Sequence, residues 1–297
     1  MNNDYALYTS DQFNEFKSYW ENQLNQFKYR FNFSELGSYN NDKKMDEFLF
    51  EIDPKTVELL KIYSKDNAFA QFILLKSAYT LVLNKVMKEG SVVIETPRYK
   101  DTLDSTDLLI EENVVICSLI EENESLKKFL QKEKETLSTS YKFQGYPIDV
   151  LIEDKSSHGS NVYMSDSSIH TSLMDTSGYD FMIEMNHNES QISHTIKYNK
   201  NLYTLSYIQM ICKTVQTILN QYSNLDILLN DLIYTDEADR QEQISLLTNY
   251  SSLEFVSLID MFKIQLKNNP EAISIRNGNE VLTYKELDRL SDALAVH

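Results

Sequence analysis

Between Asn67 and Lys88 the sequence reads NAFAQFILLKSAYTLVLNKVMK, with too few polar residues to give a helix of this length a solvated face. Such a segment is a long, mostly buried helix, and it demands other elements to cover it. The neighbouring sequence supplies them. Upstream, KMDEFLFEID alternates like a strand, and Asp53-Pro54 opens a helix through TVELLKIYSK with proline in its first turn. Downstream, SVVIETPR reads as an interior strand ending at Pro97, and NVVICSLIE as another. A charged amphipathic helix runs from Ser125 to about Tyr141, and QGYPIDVLIED opens a short helix or turn. Residues 155–178 are Ser-rich and read as loops around one weak strand, SNVYM. DFMIEMNHNE and QISHTIKYNKN form a hairpin, LSYIQMICKTVQTILNQYSN is a long helix, and ILLNDLIYT is strand-like. The first helix, from Ser10 to about Tyr29, carries Phe13, Phe16, Trp20, Leu24 and Phe27 on one face. Helix and strand periods alternate without an internal repeat, which predicts a mixed α/β fold.

The 297 residues, 42% of them apolar, suffice for one large or two ordinary domains with a real core. The formal charge of -17, with no local Lys/Arg cluster, argues against nucleic acid and anionic membrane as partners. Cys117 and Cys212 lie in apolar surroundings without C-x-x-C spacing and read as buried thiols of a reducing cytosol. The segment MNNDYALYTSDQF has neither a basic nor an apolar leader region, so a cytoplasmic location is expected.

Between Asp236 and Glu254 the composition turns polar, which marks a linker. Beyond it come a helix in FVSLIDMFKIQLKNNP and an Asn-Gly hairpin signal in AISIRNGNEVLT. Thr283 and Glu286 then form a T-x-x-E capping box, and Leu287, Leu290 and Leu294 follow at helical spacing. The organisation is therefore 1–235, a linker at 236–254, and a second domain begun over 255–297.

Known catalytic patterns are missing from this sequence. The six glycines are isolated, so neither nucleotide-binding glycine motif is formed, and G-x-S-x-G is absent. His158, His170, His187, His194 and His297 show no metal-ligand spacing. His187 and His194 could meet across the hairpin, but their alternation reads as a solvent-facing register. His158 sits in a loop without an assignable partner. Glu111, Glu112, Glu121, Glu122 and Glu124 flank a strand and read as a solvated rim, and Trp20 reads as core.

Taken in order, these segments resemble a nonribosomal peptide synthetase. Leu282, Thr283, Tyr284, Glu286 and Leu287 match the L-T/S-Y-x-E-L core motif that opens an adenylation domain. Upstream, Tyr19 and Trp20 resemble the start of a condensation domain's C-terminal lobe; VIETPR and NVVICSL resemble two of its strands. SYKFQGYPIDVLIE, with Tyr141, Gln144 and Pro147, resembles A-Y-x-H-Q-D-x-P-F-E-x-L; Tyr198 and Asn199 resemble the Y-N of Y-N-T-D-L-F-D. Departures are as informative. The H-H-x-x-x-D-G motif is nowhere in the sequence, Glu111 and Glu112 replace Gly and an aromatic, Phe143 replaces His, and SHGSNVYM replaces R-N-P-L-F.

The resemblance implies a chloramphenicol-acetyltransferase-like lobe, a mixed sheet with helices packed on it, followed by a linker and the helix-hairpin-helix start of an adenylation domain. It implies a non-catalytic half-domain serving as platform for an adenylation core in cis, against which Leu287, Leu290 and Leu294 would pack. Two alternatives remain: half of a split condensation domain completed in trans by a lobe supplying H-H-x-x-x-D-G, and a docking module for an upstream synthetase subunit. A carrier protein is a further implied partner. No cofactor is expected in this segment; ATP with Mg and phosphopantetheine belong to domains beyond it.

Overall fold

The computed structural model describes residues 11–25, 43–87, 91–100, 113–144, 146, 151, 160–171, 178–187, 191–235, 258–277 and 280–295. Two units divide the chain, Met1–Asp236 and Glu237–His297. The polar stretch read as a linker lies outside the described residues.

The first unit is a six-stranded mixed sheet carrying helices. Its strands are β1 (Met45–Glu51), β2 (Ser91–Thr96), β3 (Val114–Leu119), β4 (Val162–Asp166), β5 (Phe181–His187) and β6 (Ile192–Asn199). They lie in the order β1-β6-β5-β4-β2-β3, with β2, β4 and β5 mutually parallel and the remaining pairs antiparallel. The helices are α1 (Asp11–Asn25), α2 (Pro54–Ser64), α3 (Ala68–Met87), α4 (Leu126–Lys142) and α5 (Leu205–Asn220). Helix α3 is buried continuously from Gln71 to Leu83, because α2, α4, α5 and β2 all pack against it. That arrangement explains a helix without a polar face. Helix α4 lies against β3 and α5 against β1, so the helical layer spans the sheet.

Local chemistry sets the helix ends. Asp53 accepts the Lys55 N–H at 2.9 Å ahead of Pro54, and Ser125 and Thr204 cap α4 and α5 by accepting from Lys128 and Tyr207. Between α2 and α3 the chain turns through Lys65 (φ 52°) and Asp66 (φ 58°), both left-handed, before the Asn67 side chain accepts the Ala70 N–H at 2.8 Å.

Two readings from the sequence need correction. SNVYM is no weak strand among loops: β4 is an interior strand between β2 and β5, with Val162 and Met164 in the core and Tyr163 on the opposite face. Its Ser-rich flanks obscured the alternation. ILLNDLIYT is not a strand but includes a 3-10 turn at Leu229–Asp231. The carbonyls of Ile227, its first residue, and of Leu225 just before it accept the Leu126 and Lys127 N–H groups, each at 2.8 Å, and so satisfy the otherwise unpaired start of α4.

In the second unit α6 (Leu258–Asn268) precedes the hairpin of β7 (Ile273–Asn277) and β8 (Glu280–Thr283), and α7 (Tyr284–Ala295) follows. The capping box forms: Glu286 accepts the Thr283 N–H at 2.9 Å, and Thr283 Oγ1 accepts the Glu286 N–H at 3.3 Å. Exposed on this unit are Met261, Ile264, Leu290 and Leu294, the last at 78%.

Candidate functional site

Because β2, β4 and β5 are parallel, their carboxyl ends share one edge of the sheet, the edge where open α/β sheets place ligands. Thr96, Asp166 and His187 stand there. The last turn of α4 adds Tyr141, and the turn after β4 adds His170. His170 Nδ1 accepts the Asp166 backbone N–H at 2.9 Å, which leaves Nε2 to carry the proton of the neutral ring. Nε2–H donates to the Tyr141 hydroxyl at 2.7 Å, and Tyr141 donates to Thr96 Oγ1 at 3.1 Å. The Asp166 carboxylate accepts from Ser168 N–H at 2.9 Å and Ser168 Oγ–H at 2.6 Å, and it meets His187 Nε2 at 2.6 Å.

Burial sets the electrostatics. It pushes His170 down to about 3 against the pull of Asp166, and raises the Tyr141 phenol far above its usual range. Burial would raise Asp166 too, but the contacts from His187 and Ser168 outweigh it and hold this carboxyl below its ordinary value. His170 therefore stays neutral and Tyr141 stays protonated near pH 7. Neither is poised to exchange a proton there.

Four residues singled out in the sequence converge beside this network. Gln144 binds Tyr99 twice, accepting its N–H at 2.7 Å and donating to its carbonyl at 3.0 Å, while the Tyr99 ring stacks on Tyr141 at 5.4 Å. Trp20, fully buried, donates its indole N–H to the Phe143 carbonyl at 3.0 Å, and Tyr19 meets Ser140 Oγ at 2.7 Å. Phe143 packs its ring against both Phe16 and Tyr19. The segment from Tyr141 to Gln144 is thus a junction of α1, α4 and the end of β2.

Tyr198 and Asn199 do not join this group; β6 places them beside the amino end of β5, at the opposite edge. There Asn199 donates to Asp180 Oδ1 at 3.1 Å and accepts the Lys44 N–H at 3.3 Å, tying β1, β5 and β6 together. Leu282, Thr283, Tyr284, Glu286 and Leu287 build the second unit, where Tyr284 packs on Phe262 at 5.7 Å. Pro147, Glu111, Glu112, His158 and His297 lie outside the described residues.

The solvent-facing reading of the hairpin histidines is overturned. His194 is fully buried, its Nδ1 2.8 Å from the Tyr79 hydroxyl, and burial pushes it down to about 3; His187 is partly buried against Asp166. The period of two explains it: His194 follows Ile192 and precedes Ile196 and Tyr198, and His187 follows Ile183 and Met185, so both point with the apolar set. The solvated-rim reading also fails at Glu124, whose buried carboxylate meets Lys132 at 3.2 Å and Lys128 at 3.6 Å; Glu121 and Glu122 are exposed. Sequence reasoning missed His170 and Asp166, although D-x-S is a turn signal. It also missed the buried pair Lys76–Glu133 at 2.6 Å, for which a lone lysine in an apolar helix was the clue.

Cys117 and Cys212 are buried free thiols; burial pushes Cys212 up to about 12 and Cys117 well above its ordinary value. Among the described residues no cluster of three His, Cys, Asp or Glu could hold a metal ion, and no helix is long and apolar enough to cross a membrane.

No family model matches the chain. Solved structures do. The starter condensation domain of rhizomide synthetase superposes with a TM-score of 0.62 at 12% identity, covering 77% of this chain and 57% of that one. The fold is that of a nonribosomal peptide synthetase condensation domain. A four-domain nonribosomal peptide synthetase bound to AMP and glycine matches over 97% of this chain and 25% of that one, with a TM-score of 0.65 and 16% identity. A chain of the complex of the X-domain and OxyB from teicoplanin biosynthesis matches over 76% of this chain and 56% of that one, with a TM-score of 0.60 and 12% identity. In sequence, the chain is similar to bacitracin synthase 1 of Bacillus licheniformis, 22% identical over 275 residues that cover 82% of this chain. It is likewise 22% identical to malpinin synthetase of Mortierella alpina, over 85% of its length. This chain spans 5% of the first of these proteins and 3% of the second.

Proposed function

We propose that the condensation fold in this chain serves packing instead of chemistry: a non-catalytic platform for an adjoining adenylation domain within a nonribosomal peptide synthetase. One observation carries the reading. Among the described residues at the carboxyl ends of the parallel strands, His170 and Tyr141 are hydrogen-bonded to each other at 2.7 Å and buried, which holds His170 at about 3 and Tyr141 far above neutrality, so neither exchanges a proton near pH 7; His187, paired with Asp166 at 2.6 Å, is the remaining histidine there. The match of Leu282, Thr283, Tyr284, Glu286 and Leu287 to an adenylation opening, and the exposed Leu290 and Leu294, support the neighbour. ATP with Mg, phosphopantetheine and a carrier protein would belong to that larger assembly, whose product would be a secondary-metabolite peptide. The test is deletion of residues 1–235 from the synthetase polypeptide. Soluble yield and amino-acid-dependent ATP–pyrophosphate exchange should both fall; unchanged values for both would refute the platform.

A second reading follows from the 57% coverage of the rhizomide synthetase domain, which leaves a lobe's worth of that fold unmatched. A separate lobe carrying H-H-x-x-x-D-G would complete a split enzyme. Mixing the two with carrier-bound substrates and finding no condensed product would exclude it.

A further inference from the structure

Among the described strands β1 ends the sheet, beside β6. The Lys200 N–H donates to the Lys44 carbonyl at 2.8 Å and the Ile52 N–H to the Ile192 carbonyl at 3.0 Å, which fixes the hydrogen-bonding phase of the pair. Asp46, Phe48, Phe50 and Ile52 bond inward to β6, and Met45, Glu47, Leu49 and Glu51 turn their N–H and C=O groups outward. Among the described residues no strand pairs with that edge; the Glu47 N–H is met only by the neighbouring Asp46 carboxylate at 2.9 Å. An open strand edge is a template for another strand.

The side chains of the outward-bonding set specify which strand. Glu47, Leu49 and Glu51 project from one face at a period of two, all exposed, Leu49 at 58%. Glu47 faces Lys197 across the pair, but Lys197 is engaged by Glu184 at 2.7 Å, and Lys43 is engaged by Asp180 at 3.3 Å. Among the described residues neither Glu47 nor Glu51 forms an ion pair of its own, in a chain of net charge -17. A second copy pairing here would set carboxylate against carboxylate, which is unfavourable.

We infer that the free edge of β1 takes up an extended basic peptide as a seventh strand, with basic, apolar and basic side chains at alternate positions opposite Glu47, Leu49 and Glu51. Main-chain hydrogen bonds supply the affinity and the charge pattern the selectivity. This surface is independent of the platform reading, since it requires neither an adenylation neighbour nor a lack of catalysis.

The test uses the full chain and a fluorescein-labelled Thr-Lys-Thr-Val-Thr-Lys-Thr peptide, read by fluorescence anisotropy and by hydrogen exchange. Binding should weaken with salt and slow exchange of the Leu49 and Glu51 amides. Leu49→Pro removes an outward N–H and leaves the inward ladder of Phe48 and Phe50 in place, so it should weaken binding at least about tenfold. The double change Glu47→Lys with Glu51→Lys should reverse the preference, so that Thr-Glu-Thr-Val-Thr-Glu-Thr binds better. Equal binding of both peptides to the unaltered chain, protection elsewhere, or self-association abolished by Leu49→Pro would each overturn the proposal.

Discussion

Lys76 carries a charge into the centre of the molecule, with its side chain fully buried and its ammonium 2.6 Å from Glu133 and 2.5 Å from Ser118 Oγ. Such a pair ties α3 to α4 and β3, yet its removal as a pair need not be costly, because desolvation opposes the attraction. Lys76→Met alone should destabilise by about 3–5 kcal/mol, leaving the Glu133 carboxyl buried without its partner, whereas adding Glu133→Leu should recover most of the loss. Urea unfolding of the single and double variants measures this. The two buried histidines make a pH prediction. His170 and His194 have folded values near 3 against an unfolded value near 6.5, so the unfolded chain binds protons first. Stability should fall as the pH drops below about 6.5, because each histidine takes up a proton in the unfolded chain that it does not take up in the folded one until its folded value is reached. Asp166, held below its ordinary value, loses its contribution only in the more acidic window beneath that value. His194→Phe should flatten the slope of melting temperature against pH between 6.5 and 5; an unchanged slope would remove His194 from the account.

At the scale of elements, the turn between α2 and α3 holds Lys65 and Asp66 in the left-handed region, where a Cβ is unfavourable. Lys65→Gly should therefore raise stability by about 0.5–1 kcal/mol despite glycine's greater chain entropy, measured by the shift in melting temperature. Helix α1 is fastened by Trp20, and Trp20→Ala should cost about 3–5 kcal/mol, with protease cleavage near α1 as the readout. The elements themselves were legible where one period ran unbroken: α3, β2, β3, β5 and β6 follow directly from FILLKSAYTLVL, SVVIET, VVICSL, FMIEM and ISHTIKY. β4 was under-read because only Val162 and Met164 signal its inner face, and its place between β2 and β5 is decided by pairing with distant segments. The site was legible only in part. Tyr141 and Gln144 drew notice through resemblance, but their partners His170 and Tyr99 lie 29 and 45 residues away, and no local pattern joins them. The facing of His194 was readable from Ile192 and Ile196 and was misjudged because a histidine suggested solvent.

For the whole molecule, the two units differ in self-sufficiency. The first buries a core of aromatic and aliphatic side chains; the described residues of the second form two helices and a two-stranded hairpin, with Met261, Ile264 and Leu294 exposed. A two-stranded hairpin with so little cover is marginal. Residues 237–297 expressed alone should show no cooperative thermal transition, whereas the first unit should melt cooperatively. The central claim is that this condensation fold is kept for packing while its buried polar groups hold the sheet edge together. The most direct measurement gives the native polypeptide that contains this chain donor and acceptor groups loaded on carrier proteins and follows the carrier-bound species by intact-protein mass spectrometry. The account predicts no joined product above the uncatalysed level, in the unaltered protein and in His187→Ala alike. Turnover that disappears in His187→Ala while the fold persists would contradict it.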